Sequence, residues 1–345
     1  MTSNQFRRDP ITGRWTIIVQ YENYLNDVIL KRQQPKDARG KNKKTTCSYC
    51  EGFEAETPSE IYAIRNNSSQ KNEPGWKVRV VPEQTPMLQI YGDLNNRAVG
   101  MYDVLDGIGA HELIIESPKH NDRMASMDID QISDILTTIR GRILDLKRDE
   151  RFRYVLFHKN YGEESGAVVG HSYSHIIATP ITPTLVKSEL MNAMEYFQYK
   201  ERCVFCDVIN QELSDSERVV METEKYLAFA PFASRTPFET WILPKDHETF
   251  FEWNVENRPL AEILREILRR LTKKLANPNY IMVLHSGPNI AAGKLRGYWK
   301  TLERDYHWHI KIAPKFRGYK SFEIGSGFQV NMVPPEVAAK TLRSD

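Results

Sequence analysis

Apolar and polar residues alternate in short runs along this chain, a pattern typical of β-strands with one buried face. These runs, rich in β-branched and aromatic residues, predict strands at 15–19, 77–81, 112–116, 154–157, 175–178, 226–230, 240–243, 280–284 and 307–312. Two longer segments, 127–150 and 257–276, repeat their apolar residues with helical period and predict amphipathic helices. A third helix is predicted over 188–202, between the two parts of this pattern.

The two long helices occupy the same place in the first and second parts of the chain, each with strands before and after it. Antiparallel strands with a helix between two of them give layered α+β units. The segment 31–44 interrupts the first unit. Because it is polar, basic and contains proline and glycine, it is predicted to be a mobile surface loop.

The four cysteines form two Cys-x-x-Cys pairs, Cys47 with Cys50 and Cys203 with Cys206. Thiolates at this spacing can hold one tetrahedral zinc ion. A redox role needs only one such pair in a thioredoxin-like setting. Four unrelated buried thiols would rarely all fall into pairs. Two pairs, one in each part of the chain, therefore favour metal binding.

Histidines follow each cysteine pair in the same order, first after a strand and then at the start of a later strand. His120 and His171 follow the first pair, and His247 and His307 follow the second. A repeated order of this kind indicates a degenerate internal duplication. It predicts two pseudo-symmetric halves, residues 1–187 and residues 188–345.

Length, charge and composition exclude several classes of protein. A length of 345 residues predicts two domains or two fused halves, and 41% hydrophobic residues suffice for a sizeable core. With 47 basic against 45 acidic residues, no bulk charge recruits nucleic acid or an anionic membrane. The chain has no long apolar run, and its start lacks the apolar core of a secretory signal. We therefore expect a cytoplasmic protein without disulfides.

Several motifs together carry a family resemblance. They are FRRDPITGRW (6–15), CSYC (47–50), ESPKH (116–120), KNYGEESGA (159–167), CVFCD (203–207), TPFETWILPKDH (236–247), YHWHIKIAP (306–314) and FEIGSGFQVNMVPPEVAA (322–339). Through them the chain resembles the galactose-1-phosphate uridylyltransferase family of the histidine-triad superfamily, in its ADP-glucose phosphorylase-like branch. The resemblance implies an α+β fold of two histidine-triad-like repeats. It also implies a homodimer in which residues 313–339 reach the pocket of the neighbouring subunit.

The resemblance also implies a reaction. Members of the family move a nucleotidyl group from a nucleotide sugar to a sugar 1-phosphate or to phosphate, through a nucleotidyl-histidine. Their motif His-x-His-x-Gln places a zinc ligand, the nucleophile and a phosphate-holding glutamine on one face of a strand. The matching residues here are His171, Tyr173 and His175. Tyrosine thus stands at the nucleophile position and histidine at the glutamine position.

Further departures fall in the same predicted pocket. Val168 stands where relatives carry a serine near the phosphates, and Glu83 and Gln84 stand where relatives carry an asparagine-led contact to the nucleotide. By contrast, Asn160 resembles a family residue near the nucleotide phosphates, and Lys311 resembles a substrate contact. The pocket is therefore predicted to be repurposed or retired, while a bound phosphate compound is still expected.

Three residues are candidates for catalysis. Tyr173 could be a covalent nucleophile if His175 acted as its base, because a phenol with pKa about 10 needs activation at neutral pH. It could equally fill the space and form a hydrogen bond. His175 could itself be a displaced nucleophile or a polar pocket residue. His309, the second-half equivalent of Tyr173, is the third candidate. His111 and His158 are interpreted as structural.

Two structural zinc ions per chain are predicted. The first is held by Cys47, Cys50, His120 and His171, and the second by Cys203, Cys206, His247 and His307. A rival for the second ion resembles the metal site of some relatives and consists of Glu189, His285, His307 and His309. Both second sites require His307. Filled tetrahedral sites leave no position for a substrate water, so these ions are expected to stabilise the fold.

Three functions stay open at this level. The first is a nucleotidyltransferase or nucleotide-sugar phosphorylase with an altered or lost covalent histidine step. The second is non-covalent phosphoryl or nucleotide chemistry, by hydrolysis or direct displacement. The third is a non-catalytic protein that binds a nucleotide sugar or sugar phosphate. A zinc-ribbon nucleic-acid protein is disfavoured by the near-neutral charge.

Overall fold

A computed structural model of the protein describes residues 3–21, 24, 47–66, 69–292, 299–316 and 321–344. The segment 31–44, predicted above to be a mobile loop, lies outside the described residues. The strands are β1 (Gln5–Arg8), β2 (Trp15–Ile18), β3 (Tyr62–Arg65), β4 (Trp76–Pro82), β5 (Arg97–Val99), β6 (Tyr102–Val104), β7 (Ala110–Ile115), β8 (Tyr154–Tyr161), β9 (Tyr173–Thr179), β10 (Val219–Glu222), β11 (Tyr226–Phe229), β12 (Thr240–Pro244), β13 (Tyr280–His285), β14 (His309–Pro314) and β15 (Gln329–Asn331).

The helices account for most of the remaining regular structure. They are α1 (Ile129–Leu146), α2 (Thr184–Lys200), α3 (Val204–Asp215), α4 (Asn257–Lys274), α5 (Leu302–Asp305), α6 (Ser321–Ser326) and α7 (Pro335–Arg343). Among the described helices, none is long and apolar enough to span a lipid bilayer. The three helices predicted from the sequence correspond to α1, α2 and α4, with ends displaced by a few residues.

A ten-stranded antiparallel sheet runs through the molecule in the order β10-β11-β12-β14-β13-β8-β9-β7-β4-β3. The two halves of the chain meet where β13 pairs with β8. Read outward from that contact, β8-β9-β7-β4-β3 and β13-β14-β12-β11-β10 place corresponding strands at corresponding positions. The predicted α+β class with an antiparallel sheet is confirmed, and the strand order is the one that two repeats would give.

One face of this sheet is covered by the two long helices. Apolar side chains of α1, among them Ile135 and Ile139, and of α4, among them Leu264 and Ile267, are buried in one core cluster with residues of both halves. The opposite face of β9 carries Tyr173, which belongs to a separate small cluster. Because successive side chains alternate on a strand, the helices leave that second face free to form a site.

The termini tie the halves together further. A small sheet has the order β1-β2-β15, so an N-terminal hairpin pairs with a C-terminal strand of the same chain. Arg7 of β1 also forms an ion pair with Glu336 of α7. The division at 187/188 stays a prediction, and in the structure it falls inside α2.

Candidate functional site

The first cysteine pair and its two histidines lie close together near the ends of β7 and β9. Cys50 Sγ lies 3.6 Å from His120 Nδ1 and 3.7 Å from His171 Nδ1, and Cys47 Sγ lies 3.8 Å from His171 Nδ1. Ligands of one tetrahedral zinc ion lie about 3.5 Å apart, so these distances suit a shared ion. His171 Nε2 donates to the Ser117 carbonyl over 2.7 Å, which leaves Nδ1 free to bind metal.

The second pair lies at the start of α3, with Cys203 at the N-cap and Cys206 in the first turn. Cys206 Sγ lies 3.4 Å from His247 Nδ1 and 3.2 Å from His307 Nε2. The hydrogen bond with Cys203, and then those with His247 and His307, lower the pKa of Cys206. His247 Nε2 donates to the Glu303 carbonyl over 3.0 Å, so Nδ1 is free for a metal. The structure therefore brings both predicted sets together.

The rival set forms a separate group without His307. Glu189, His285 and His309 place three ligand atoms within 4.8 Å of one another. Glu189 Oε2 lies 2.8 Å from His285 Nδ1 and 3.9 Å from His309 Nε2. The two predicted second sites thus do not compete for one histidine, because His307 faces Cys206 and His247.

The Glu189 group has the donors that a buried ion needs. His309 Nδ1 lies 3.1 Å from the His307 carbonyl, and His309 Nε2 is buried without a hydrogen-bond partner among the described residues. An unpaired buried nitrogen of this kind suits a metal ion. Lys311 Nζ also lies 2.5 Å from Glu189 Oε1. Although burial alone would raise it, His285 and Lys311 hold the pKa of Glu189 well below its ordinary value.

The residue at the family's nucleophile position is buried. Tyr173 is 5% exposed, and its ring packs edge-on against Tyr49 with centroids 5.6 Å apart. The backbone N–H of Val168 donates to Tyr173 Oη over 3.0 Å, while the Val168 side chain is exposed. The hydroxyl oxygen of Tyr173 is therefore the hydrogen-bond acceptor for a backbone amide of the loop that precedes β9.

His175 lies next to Tyr173 on the same face and belongs to a cluster of polar side chains. Its Nδ1 lies 3.1 Å from His111 Nε2 and 3.7 Å from Glu83 Oε2. Its ring stacks on His158, with centroids 5.0 Å apart. Burial, and next the charge of His158, lower the pKa of His175 to about 3. These imidazoles are therefore neutral at pH 7.

The predicted substrate contacts are dispersed. Asn160 lines a cavity of about 570 Å³ together with the loop that includes Val168. Lys311 is paired with Glu189 and lies over the ring of Trp241. Gln84 is exposed, and its backbone N–H donates to the Glu83 carboxylate over 3.0 Å.

The clusters of the two halves share one face of the sheet. Val283 on β13 is the register partner of both His158 on β8 and Lys311 on β14. Residues directly paired across neighbouring strands point to the same side. The surface around Tyr173 and His175 is therefore continuous with that around Lys311 and His309.

His111, interpreted from the sequence as structural, lies 3.1 Å from His175 on the neighbouring strand β9. Alternation along β7 places His111, Leu113 and Ile115 on one face, and that signal was available in the sequence. The adjacency of β7 and β9 was not.

Comparison with known proteins gives two family matches. Residues 189–329 match the model for the C-terminal domain of galactose-1-phosphate uridyl transferase. Residues 94–180 match the N-terminal domain of a family of unknown function, DUF4931. One similar protein is the ADP-glucose phosphorylase of Arabidopsis thaliana, 30% identical over 99% of this chain and 93% of that protein. Another is the galactose-1-phosphate uridylyltransferase of Thermotoga maritima, 26% identical over 98% of each chain.

Solved structures agree on the fold. The crystal structure of an Arabidopsis thaliana ADP-glucose phosphorylase with bound ADP-glucose superposes with a TM-score of 0.81, at 30% identity over 99% of both chains. A uridylyltransferase structure superposes with a TM-score of 0.72 at 24% identity over 98% of this chain and 97% of the other.

Proposed function

The chain belongs to the galactose-1-phosphate uridylyltransferase family, and on that premise we propose that it is a nucleotidyltransferase or nucleotide-sugar phosphorylase whose covalent histidine step is altered or lost. Its substrate would be a nucleotide sugar or a sugar phosphate, as the names of its relatives suggest. The base, the sugar and the acceptor are left open by this proposal.

One observation carries the proposal. At the nucleophile position the chain has Tyr173, which is buried and accepts a hydrogen bond from Val168 N–H. To attack phosphorus, a phenol needs a base in contact with its oxygen. His175 instead meets the Tyr173 ring, with centroids 5.3 Å apart. Tyr173 therefore fills the position rather than reacting.

The other candidates take secondary roles in this proposal. His175 is a polar pocket residue, and His309, which is fully buried, belongs with Glu189 and His285. Asn160, Glu83 and Gln84 remain proposed substrate contacts. Lys311 orients Glu189 through their ion pair and is a weaker candidate for the substrate.

Two zinc ions per chain and a homodimer are proposed together with this function. The two cysteine-histidine sets would each hold a zinc ion that stabilises its own half, because four protein ligands close a tetrahedral site. A homodimer in the cytoplasm is proposed as the working form. The division into halves at 187/188 is kept, since the two family matches end at 180 and begin at 189 on either side of it.

A second function is favoured by one feature. The polar cluster around His175 is partly exposed and lies beside the buried Tyr173. It could support hydrolysis or direct displacement at phosphorus without a covalent intermediate.

The test combines binding with turnover. Calorimetry with ADP-glucose and UDP-glucose should detect binding of at least one, and ³¹P NMR should follow its consumption with phosphate, hexose 1-phosphate or water as acceptor. The proposal expects binding, and no isotope exchange between a nucleotide sugar and its labelled sugar 1-phosphate. If neither compound binds nor reacts, the proposed function is wrong. Rapid exchange would show that a covalent step is intact.

A further inference from the structure

The polar cluster around His175 combines ligands from three adjacent strands. Glu83 follows β4, His111 lies on β7 and His175 lies on β9, and these strands are neighbours in the sheet. Their three candidate ligand atoms lie within 4.8 Å of one another. His111 and His175 lie within strands, and the Glu83 N–H donates to the His111 carbonyl over 2.9 Å, so all three residues are held by the sheet.

The spacing suits coordination to one ion. Nitrogen and oxygen ligands bound to the same zinc ion lie about 3–3.6 Å apart. The His111–His175 separation is 3.1 Å and the His175–Glu83 separation is 3.7 Å. Glu83 Oε1 accepts backbone hydrogen bonds from Gln84 and Thr85, whereas Oε2 faces His175. Among the residues that the structure describes, Glu83 forms no ion pair with lysine or arginine, so Oε2 is available to a metal ion.

Exposure distinguishes this cluster from the buried group of Glu189, His285 and His309. The side chains of His175 and Glu83 are 14% and 15% exposed. Those of Glu189 and His309, in the buried group, are 0% exposed. Three protein ligands at an accessible position leave room for water or a phosphate oxygen, as in catalytic rather than structural sites.

We propose that Glu83, His111 and His175 form a further metal site that binds a divalent first-row transition ion and keeps coordination positions open. Two imidazole nitrogens and one carboxylate are the donors of zinc and ferrous sites of this kind. The site lies beside Tyr173, and Glu83 and His111 line a cavity of about 500 Å³ from which a ligand could reach the ion. The inference does not depend on the proposed function, because metal binding is measured without substrate.

One hydrogen bond would have to break before a metal ion could bind to His111, and this bond is weak. The N–H of Met87 donates to His111 Nδ1 over 3.3 Å, which favours the tautomer with a proton on Nε2. Metal binding at Nε2 would move that proton to Nδ1 and break this bond. The bond is at the long end of the range for N–H donors.

Cobalt provides the probe. Protein with zinc in both cysteine sets is titrated with Co²⁺ and followed by visible absorption. The expected result is at least one ion with ligand-field bands and no thiolate-to-cobalt charge-transfer band. His111→Ala and His175→Gln should each weaken this binding at least about tenfold, since even outer-shell changes at metal sites cost 10–100-fold.

Two further variants show which group of residues produces the cobalt absorption. His158→Gln is the matched control, because His158 stacks on His175 but contributes no ligand atom. It should leave the affinity unchanged. Glu189→Gln tests the buried group, which would give a similar spectrum.

Three results would overturn the site. They are the absence of such a signal in the wild-type protein, its survival in both His111→Ala and His175→Gln, or its loss in Glu189→Gln alone. If circular dichroism shows that His111→Ala does not fold, the test rests on His175→Gln. Survival of the cobalt signal in that variant would overturn the site.

Discussion

A buried ion pair holds the start of β9, the strand that carries Tyr173 and His175, and a variant without this pair tests what stabilises that part of the fold. Lys159 is 1% exposed and Glu116 is 0% exposed. Lys159 Nζ lies 2.6 Å from Glu116 Oε2 and donates to the Tyr173 carbonyl over 2.9 Å. We therefore consider the variant Lys159→Met, which keeps the volume and removes the charge.

The loss in the free energy of unfolding follows from the Glu116 carboxylate, which the substitution leaves without its cation. After the substitution the buried carboxylate keeps a hydrogen bond from Ser172 Oγ but has no cation. Its least costly state is then the protonated acid. At pH 7 the uptake of that proton costs about 3.7 kcal/mol, for an ordinary glutamate pKa of about 4.3 and about 1.36 kcal/mol per pH unit. Breaking a buried ion pair by removing one partner typically costs about 3–5 kcal/mol, which agrees.

This cost has a definite pH dependence. The folded variant binds a proton that its unfolded chain has lost above pH about 4.3, so its stability falls as the pH rises. The deficit relative to wild type should therefore shrink by about 2 kcal/mol between pH 7 and pH 5.5. Urea unfolding at fixed zinc concentration measures it, since bound metal stabilises the folded state by mass action.

A double variant supplies the control. Lys159→Met with Glu116→Leu removes both charges and should recover at least half of the lost stability, because no buried charge is left unpaired. The reasoning is refuted if Lys159→Met costs less than about 1 kcal/mol at pH 7. It is equally refuted if the deficit is the same at both pH values.

Further predictions concern metal, assembly and the pocket. Elemental analysis should find at least two zinc ions per chain, and less than one would exclude both cysteine-histidine sites. Cys47→Ala should unfold or aggregate the first half, because structural metal binding is coupled to folding; intact circular dichroism and melting would contradict this. Light scattering should give about twice the chain mass of 40.1 kDa, and a monomer at micromolar concentration would exclude the homodimer. Tyr173→His alone should recover little exchange, whereas adding His175→Gln and Val168→Ser should recover more, because the three act as a unit.

The sequence predicted the strands of the site well because each is anchored by alternating large apolar residues. The strand predicted at 175–178 is β9, and the strand predicted at 280–284 is β13. The members of both cysteine-histidine sets also lie close together, as ligand order and spacing suggested, and the zinc ions themselves stay a prediction. The edge strand β1 was missed because only one of its four residues, Phe6, is apolar, and the edge strand β10 was missed as well. Helix α3 was missed because its first turn contains the second cysteine pair.

Contacts between distant segments could not be predicted. Lys311 was expected to face the substrate, yet it pairs with Glu189, 122 positions away on α2. His111 and His175 meet because β7 and β9 are neighbours, and strand order is set by the tertiary fold. In the sequence, Glu83 and His175 stand out only as departures from the family motif. The structure adds that they face each other at 3.7 Å.

The central claim is that this chain does not run a covalent histidine exchange at Tyr173, and one measurement tests it most directly. The purified protein is incubated with nucleotide-labelled ADP-glucose or UDP-glucose, and intact mass is recorded before and after mild acid. Phosphoramidates on histidine are acid-labile, whereas a phosphodiester on tyrosine resists mild acid. The account predicts no acid-labile nucleotidyl adduct. An adduct that forms in the unmodified protein and disappears in acid would contradict it, and would make His309 or His175 the nucleophile.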